Sequence, residues 1–346
     1  MSSSAKTQLG ISENWAQFSL LVLVNAFVGA MVGLERSILP AIAEDSFEVA
    51  AKTAVLSFII VFGLSKAMTN YVAGRLCEAY GRKTVLVAGW LVALPVPLLL
   101  MWAPSWNWIV AINALLGISQ GLTWSTTVIM KIDLAGPKQR GMAMGLNEFA
   151  GYLAVAASSL ATGYIASIYG PRTEPFYLGV AFALIGTFLS IVLVKDTTEH
   201  AHLEAATHKG EAHTELSAKD IFVKVSFTDP TLSSVSQAGL VNNLNDGMAW
   251  GLFPILFAST GMNLAQIGVL AAIYPAVWGL GQLFTGTLSD RVGRKVFITF
   301  GMWLQAAGIA VIALASSFAI FAVALAIIGA GTAMVYPTLL AAIGDV

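Results

Sequence analysis

Glu35 and Arg36 stand side by side in Trp15–Leu39, a stretch that holds no other charge. Asp246 is alone in the same way in Leu232–Phe257, just after Asn242 and Asn245. Lys66 lies in Thr53–Leu76 with Thr69 and Asn70, and Asn147 and Glu148 open Met142–Tyr169. An ionisable group at membrane depth costs ~2.5–3.5 kcal/mol on insertion scales, so each of these must face a cavity or a partner. Helical spacing puts Asn25, Gly29, Gly33 and Arg36 on one face, with Glu35 on the next. Cations of this kind suit a small organic or inorganic anion, here Arg36 together with Lys66. Glu35, Glu148 and Asp246 are the candidates for carrying a proton. A structural ion pair, such as Arg36 with Asp246, is the competing reading. Lys66 and Glu148 are near enough to helix ends to snorkel. A second layer is uncharged. Gln120, Thr123, Trp124 and Thr127 recur at i, i+3, i+4 and i+7. Tyr274, Trp278 and Gln282 recur at i, i+4 and i+8, and Thr332 and Tyr336 are one turn apart. Such stripes serve either as packing glue between helices or as a substrate wall.

The elements that must position these groups are membrane helices. Hydrophobic residues make up 57% of the chain and charged residues 11%, against about 25% charged in a soluble domain. A span needs ~20 apolar residues. Ten segments meet this approximately: the four above, Thr84–Ala103, Trp108–Ile132, Phe176–Val194, Ile267–Leu288, Val296–Ala315 and Ala319–Ile343. Their connections alternate. One set is basic, with Arg75, Arg82 and Lys83, then Lys131, Lys138 and Arg140, then Lys195 to Lys224, then Arg291, Arg294 and Lys295. The other set, including Ala41–Lys52 with Glu44, Asp45 and Glu48, is nearly free of Lys and Arg. Basic loops stay in the cytoplasm, so the N-terminus and the segment around Thr197–Thr231 are expected there. That segment holds His200, His202, His208 and His213 at irregular spacing and reads as a solvated linker, not a metal site. A net charge of −1 argues against a nucleic-acid partner. Cys77 is the single cysteine, so no intramolecular disulfide is possible. Neither a metal nor a cofactor is expected, and no motif for a membrane enzyme is present.

An internal repeat organises the chain. Gly74-Arg-Leu-Cys-Glu-Ala-Tyr-Gly-Arg-Lys83 recurs as Gly286-Thr-Leu-Ser-Asp-Arg-Val-Gly-Arg-Lys295, an offset of 212 residues. The register continues without a gap, pairing Gly89 with Gly301, Gly117 with Gly329 and Asp133 with Asp345. Duplicated bundles in one membrane orientation are a recurrent transporter architecture, with the site between the halves. The two Gly-x-Leu-x-acidic-x-x-Gly-Arg-Lys loops resemble the signature loop of the major facilitator superfamily, and the resemblance covers nearly the whole chain. It implies an all-α membrane fold of two six-helix bundles related by a pseudo-twofold axis. Here that gives a cytoplasmic N-terminus (1–14), a six-helix bundle (15–195), a linker (196–231) and a four-helix part of the second bundle (232–346). By the repeat, two further helices are expected after Asp345, and the chain is read as truncated after its tenth helix.

The resemblance implies a cytoplasmic latch from Gly74, Glu78, Gly81, Arg82 and Lys83 in the first loop and Gly286, Asp290, Arg291, Gly293, Arg294 and Lys295 in the second. The first loop departs from the pattern, with Glu78 for the aspartate and Ala79 for the arginine. Glu35-Arg36 resembles the acidic-Arg pair late in helix one of several subfamilies. Helices one, four, seven and ten line the family's cavity, which implies that Asn25, Glu35, Arg36, Gln120, Trp124, Asn242, Asn245, Asp246 and Tyr336 face it, with Lys66, Glu148, Tyr274 and Trp278 beside them. Gln120-Gly121 is present, but Gly117 stands where many proton-coupled members carry arginine. The Gly-Pro pattern of drug antiporters is missing from helix five. The expectation is a monomeric carrier in the cytoplasmic membrane, in contact with lipid, moving a small anion by alternating access with protons as coupling ion, as a symporter. The alternatives are proton-coupled multidrug efflux, and a non-transporting sensor or inactive remnant.

Overall fold

The computed structural model describes residues 7–47, 55–207 and 217–344. Glu48, Lys52, His208, His213 and Asp345 lie outside the described residues, as do the side-chain surroundings of Asp45, Gly286 and Asp290.

All regular structure among the described residues is helical. The first half comprises α1 (Trp15–Arg36), α2 (Leu39–Phe47), α3 (Ser57–Tyr80), α4 (Arg82–Ala93), α5 (Val96–Met101), α6 (Trp106–Ala135), α7 (Arg140–Tyr169) and α8 (Glu174–Val192). The linker holds α9 (Thr198–Thr207) and α10 (Ala218–Val223). The second half comprises α11 (Pro230–Gly247), α12 (Phe253–Ser259), α13 (Leu264–Val292), α14 (Arg294–Leu314) and α15 (Phe318–Gly344). Short interruptions join α1 to α2, α4 to α5 and α11 to α12, so these form ten long rods.

Seven of the rods are long and apolar enough to cross a membrane. The other three, α3, α6 and α11–α12, are as long but fall short of that hydropathy, against the expectation of ten. They are the rods that carry Lys66, the Gln120–Thr127 stripe and Asn242–Asp246. Their polar faces are turned inward, where lipid does not set the requirement.

The repeat is visible in the helix ends. α3 stops at Tyr80 and α13 at Val292, α4 begins at Arg82 and α14 at Arg294, and α6 begins at Trp106 and α15 at Phe318. Each pair keeps the 212-residue offset. Gly81 and Gly293 terminate the preceding helices with φ of +83° and +101°, values that glycine adopts without steric penalty. The copies differ where prolines fall. Pro95 and Pro97 split α4 from α5, while α14 runs unbroken.

Three sequence expectations are corrected. Ala41–Lys52 is not wholly loop: after a break at Ser37–Ile38 the chain re-enters α2, with Pro40 in the first helical turn, where its missing N–H does no harm. Lys131 is not a loop residue. α6 runs on to Ala135 and buries it completely. The start of the linker is not a solvated tether either. α9 packs against α6, and its approach is pinned by Thr197 Oγ1 donating to Asp133 Oδ2 at 2.6 Å and by an Arg140–Glu204 ion pair.

Glycines set how closely the rods approach. A Cβ at Gly29 would stand 2.1 Å from the Gly151 carbonyl oxygen, so α1 and α7 touch backbone to backbone. A Cβ at Gly163 would stand 2.6 Å from Gly268 Cα. There α7 meets α13, the main contact between the halves.

Candidate substrate and proton site

Arg36 is the centre of the site. It is 1% exposed, and none of its three guanidinium nitrogens has a hydrogen-bond partner among the described residues. Aromatic faces surround it instead, with Phe62 at 4.6 Å, Trp250 at 5.0 Å and Phe58 at 5.9 Å from Cζ. Cation–π attraction offsets part of the lost hydration. Trp250 reaches Arg36 from the second half, where a π-helical turn, Met248–Leu252, interrupts the rod between α11 and α12. Such turns re-aim side chains. Asp246, one turn earlier, is within electrostatic reach of both Arg36 and Lys66. No ion pair joins Arg36 and Asp246, because Asp246 Oδ1 instead accepts from Tyr274 OH at 2.6 Å. Lys66 Nζ lies 5.0 Å from the Trp124 ring and 5.8 Å from that of Phe62. Glu35 is fully buried on the neighbouring face, with the Asn113 side chain as a polar neighbour.

Glu148 anchors a polar seam between α1, α6 and α7. Its Oε1 accepts from Trp124 Nε1 at 3.0 Å and from Asn147 Nδ2 at 2.7 Å, while Oε2 is buried and unpartnered. Asn25 Nδ2 donates to the Asn147 carbonyl at 2.8 Å, and Thr127 Oγ1 donates to Asn25 Oδ1 at 2.9 Å. Gln120 Nε2 donates to Val28 O at 2.9 Å. The seam ends at Lys131, whose Nζ donates to Leu21 O at 3.2 Å. Sequence reasoning missed Lys131 because it assigned the residue to a basic loop. Its place four residues after Thr127, on the same stripe, was the available signal.

The second half answers with amides and rings. Asn245 donates to Gln305, and Gln305 Nε2 donates to Asn242 Oδ1 at 2.9 Å. Gln305 was also missed, lying in Val296–Ala315, a span in which sequence reasoning singled out no residue. Tyr152 and Trp278 stack across the bundle interface with centroids 3.5 Å apart. Trp124 meets Tyr152 at a steep tilt, 5.4 Å away, and Tyr336 meets Trp278 edge-on, 5.6 Å away. The structure thus brings the aromatic stripes together at one interface. Gln282, from the same stripe as Tyr274 and Trp278, keeps both amide atoms buried without partners.

At the basic rim, Arg82 Nε pairs with Asp133 at 3.1 Å and Lys83 N–H donates to Asp196 Oδ2 at 2.8 Å. Arg294 donates to Ser289 Oγ at 2.6 Å. Glu78 is exposed and makes no hydrogen bond or ion pair with the described residues. In the first loop it is therefore Arg82, and not the acidic residue, that ties the loop to the bundle.

The sequence profile described as Major Facilitator Superfamily matches residues 19–236 and 235–346. The chain belongs to that superfamily and is a multi-pass membrane protein. It is 28% identical over 287 residues to the uncharacterized MFS-type transporter YdeG of Bacillus subtilis, covering 78% of this chain and 65% of that one. It is 30% identical over 152 residues to the proton-coupled antiporter flippase LtaA of Staphylococcus haemolyticus, covering 43% and 36%. With the multi-drug resistance efflux pump PmrA of Streptococcus pneumoniae it shares 23% over 276 residues, covering 78% and 66%. The chain thus spans about two thirds or less of the length of these relatives. Its fold resembles the crystal structure of a bacterial homologue of the human lysosomal transporter Spinster, inward-facing and unoccupied, with TM-score 0.64 at 14% identity over 94% of this chain and 75% of that one.

Proposed function

We propose that this chain is a secondary transporter that moves a small anion by alternating access, with a proton as coupling ion, through a membrane in which its N-terminus is cytoplasmic. The observation that carries this reading is the buried, hydrogen-bond-unpartnered guanidinium of Arg36 between the halves, with Lys66 nearby. A buried donor set of this kind is retained at a stability cost unless a ligand uses it. Asp246, opposite both cations on the other half, and Glu148, with one oxygen free, are the proton carriers. The relative LtaA is itself a proton-coupled antiporter, which supports a proton as the coupling ion. The basic loops support the orientation.

The test is Asp246→Asn in the full chain, reconstituted in proteoliposomes under an imposed pH gradient. Gradient-driven uptake is expected to vanish while anion exchange at equal pH persists. Unchanged gradient-driven uptake would remove Asp246 from the coupling. Proton-coupled efflux of amphipathic compounds is the second reading, favoured by the stack of Trp124, Tyr152, Trp278 and Tyr336. The sign of flux under the gradient separates the two.

A further inference from the structure

We infer that the substrate is an organic monoanion with a flat apolar body, taken up together with a single proton. This rests on the reading of Arg36 and Lys66 as anion donors and goes beyond it to the charge and shape of what they hold.

The charge follows from a tally. Apart from the rim pairs, the ionisable groups held inside the described rods are the cations Arg36, Lys66 and Lys131 and the carboxylates Glu35, Glu148 and Asp246. They balance when all are ionised. Each carboxylate has a cation in electrostatic reach: Glu35 has Arg36, Glu148 has Lys66 and Lys131, and Asp246 has Lys66 and Arg36. An anion entering this neutral set alone leaves a net charge in a low-dielectric interior, which is heavily penalised. One proton on Asp246 or Glu148 frees one positive charge, and a monoanion restores neutrality. A dianion would need two protons.

The shape follows from the walls. The side chains that reach from the cations across the interface are aromatic: Phe62 and Trp250 around Arg36, Trp124 beside Lys66, then Tyr152 and Trp278, stacked on each other. Trp278 Nε1 is buried without a partner among the described residues, while Trp124 Nε1 donates to Glu148. Ring faces reward offset stacking with another flat group. They also give small hydrated anions nothing in return for lost water.

The experiment is calorimetric titration of the full-length protein with benzoate, acetate, phthalate and sulfate, each in two buffers of different protonation enthalpy. Benzoate is expected to bind roughly tenfold or more tighter than acetate, from burial of its ring. It should take up one proton per anion, and phthalate and sulfate should bind more weakly. Arg36→Gln should weaken benzoate roughly tenfold to a hundredfold, the worth of lost charge-assisted hydrogen bonds. Lys66→Gln, at a half-buried position, should weaken it in the same direction. Acetate equal to benzoate, tighter phthalate or sulfate, or no proton uptake would overturn the inference while leaving an anion site standing. No binding of any probe, or binding indifferent to both variants, would bring down the anion reading itself.

Discussion

In the first half three cations, Arg36, Lys66 and Lys131, are held inside the helices. At the repeat-equivalent positions, 212 residues on, the second half has Met248, Trp278 and Ile343. The exchange runs the other way once: Asp246 falls on Leu34. Phe62 and Trp124 of the first half correspond to Tyr274 and Tyr336 of the second. Matching helices are thus built with charge in one copy and with rings or aliphatic side chains in the other. The fold does not require a cation at these positions, so retaining three of them in one half points to the work that half does. The first half holds the cations, and the second offers one carboxylate, a clamp of three amides and an aromatic wall. A site between unlike halves can bind a charged group on one side and a proton on the other.

The strongest way to break this comparison is steric. Gly29→Leu drives a side chain into the Gly151 carbonyl and is expected to lose about 3 kcal/mol or more, the upper part of the overpacking range. Its repeat mate Val241 is exposed, so Val241→Leu should leave the melting midpoint within error. Equal effects would mean that the halves pack alike. Next in size is Lys131→Met. Removing Lys131 alone takes from the buried Glu148 one of its two cations, and breaking up a buried set of charges on one side only is destabilising. A loss of thermal stability of about 2–3 kcal/mol is expected, accompanied by impaired proton coupling. Unchanged stability would remove Lys131 from the charge tally.

The smallest effect concerns the strap formed by α9, which packs against α6 of the first half. His200, against Asn14 at 3.2 Å, has its imidazole below the ordinary value because burial disfavours the cation, with Asp133 and Glu199 opposing. Asp196 feels burial in the opposite sense, but the Thr198 hydroxyl and the backbone N–H groups of Lys83 and Thr198 hold its carboxyl below the usual range. Both are depressed in the folded state, so both stabilise the docked strap at neutral pH and lose that contribution on acidification. His200 acts first, as pH falls below about 6.5, and Asp196 only below about 4. Protection factors in residues 195–207, taken relative to the intrinsic exchange rate at each pH, should therefore fall between about pH 7 and pH 5, and the change should be largely absent in His200→Gln. Protection that ignores pH in this window would place the strap's hold in Arg140–Glu204 and Thr197–Asp133 alone.

Much of the fold was legible in the sequence because its signals are local. Runs of apolar residues mark the rods, Gly81 and Gly293 mark the ends of two of them, and the recurrence of Gly-Arg-Lys marks the duplication. A charge such as Arg36 or Asp246 inside an apolar run is conspicuous for the same reason, since the bilayer penalises it wherever it sits along the helix. Tertiary structure alone decided the partners. Arg36 could have paired with Asp246 on sequence grounds, yet Tyr274 takes the carboxylate and aromatic rings take the guanidinium. Lys131 could have lain in a basic loop, yet the last turn of α6 carries it inward. The start of the linker could have been solvated, yet Asp133 and Arg140 dock it. Periodicity fixes which face of a helix a residue occupies, but which neighbour that face meets depends on how glycines let the rods approach, and that is settled only when all of them pack.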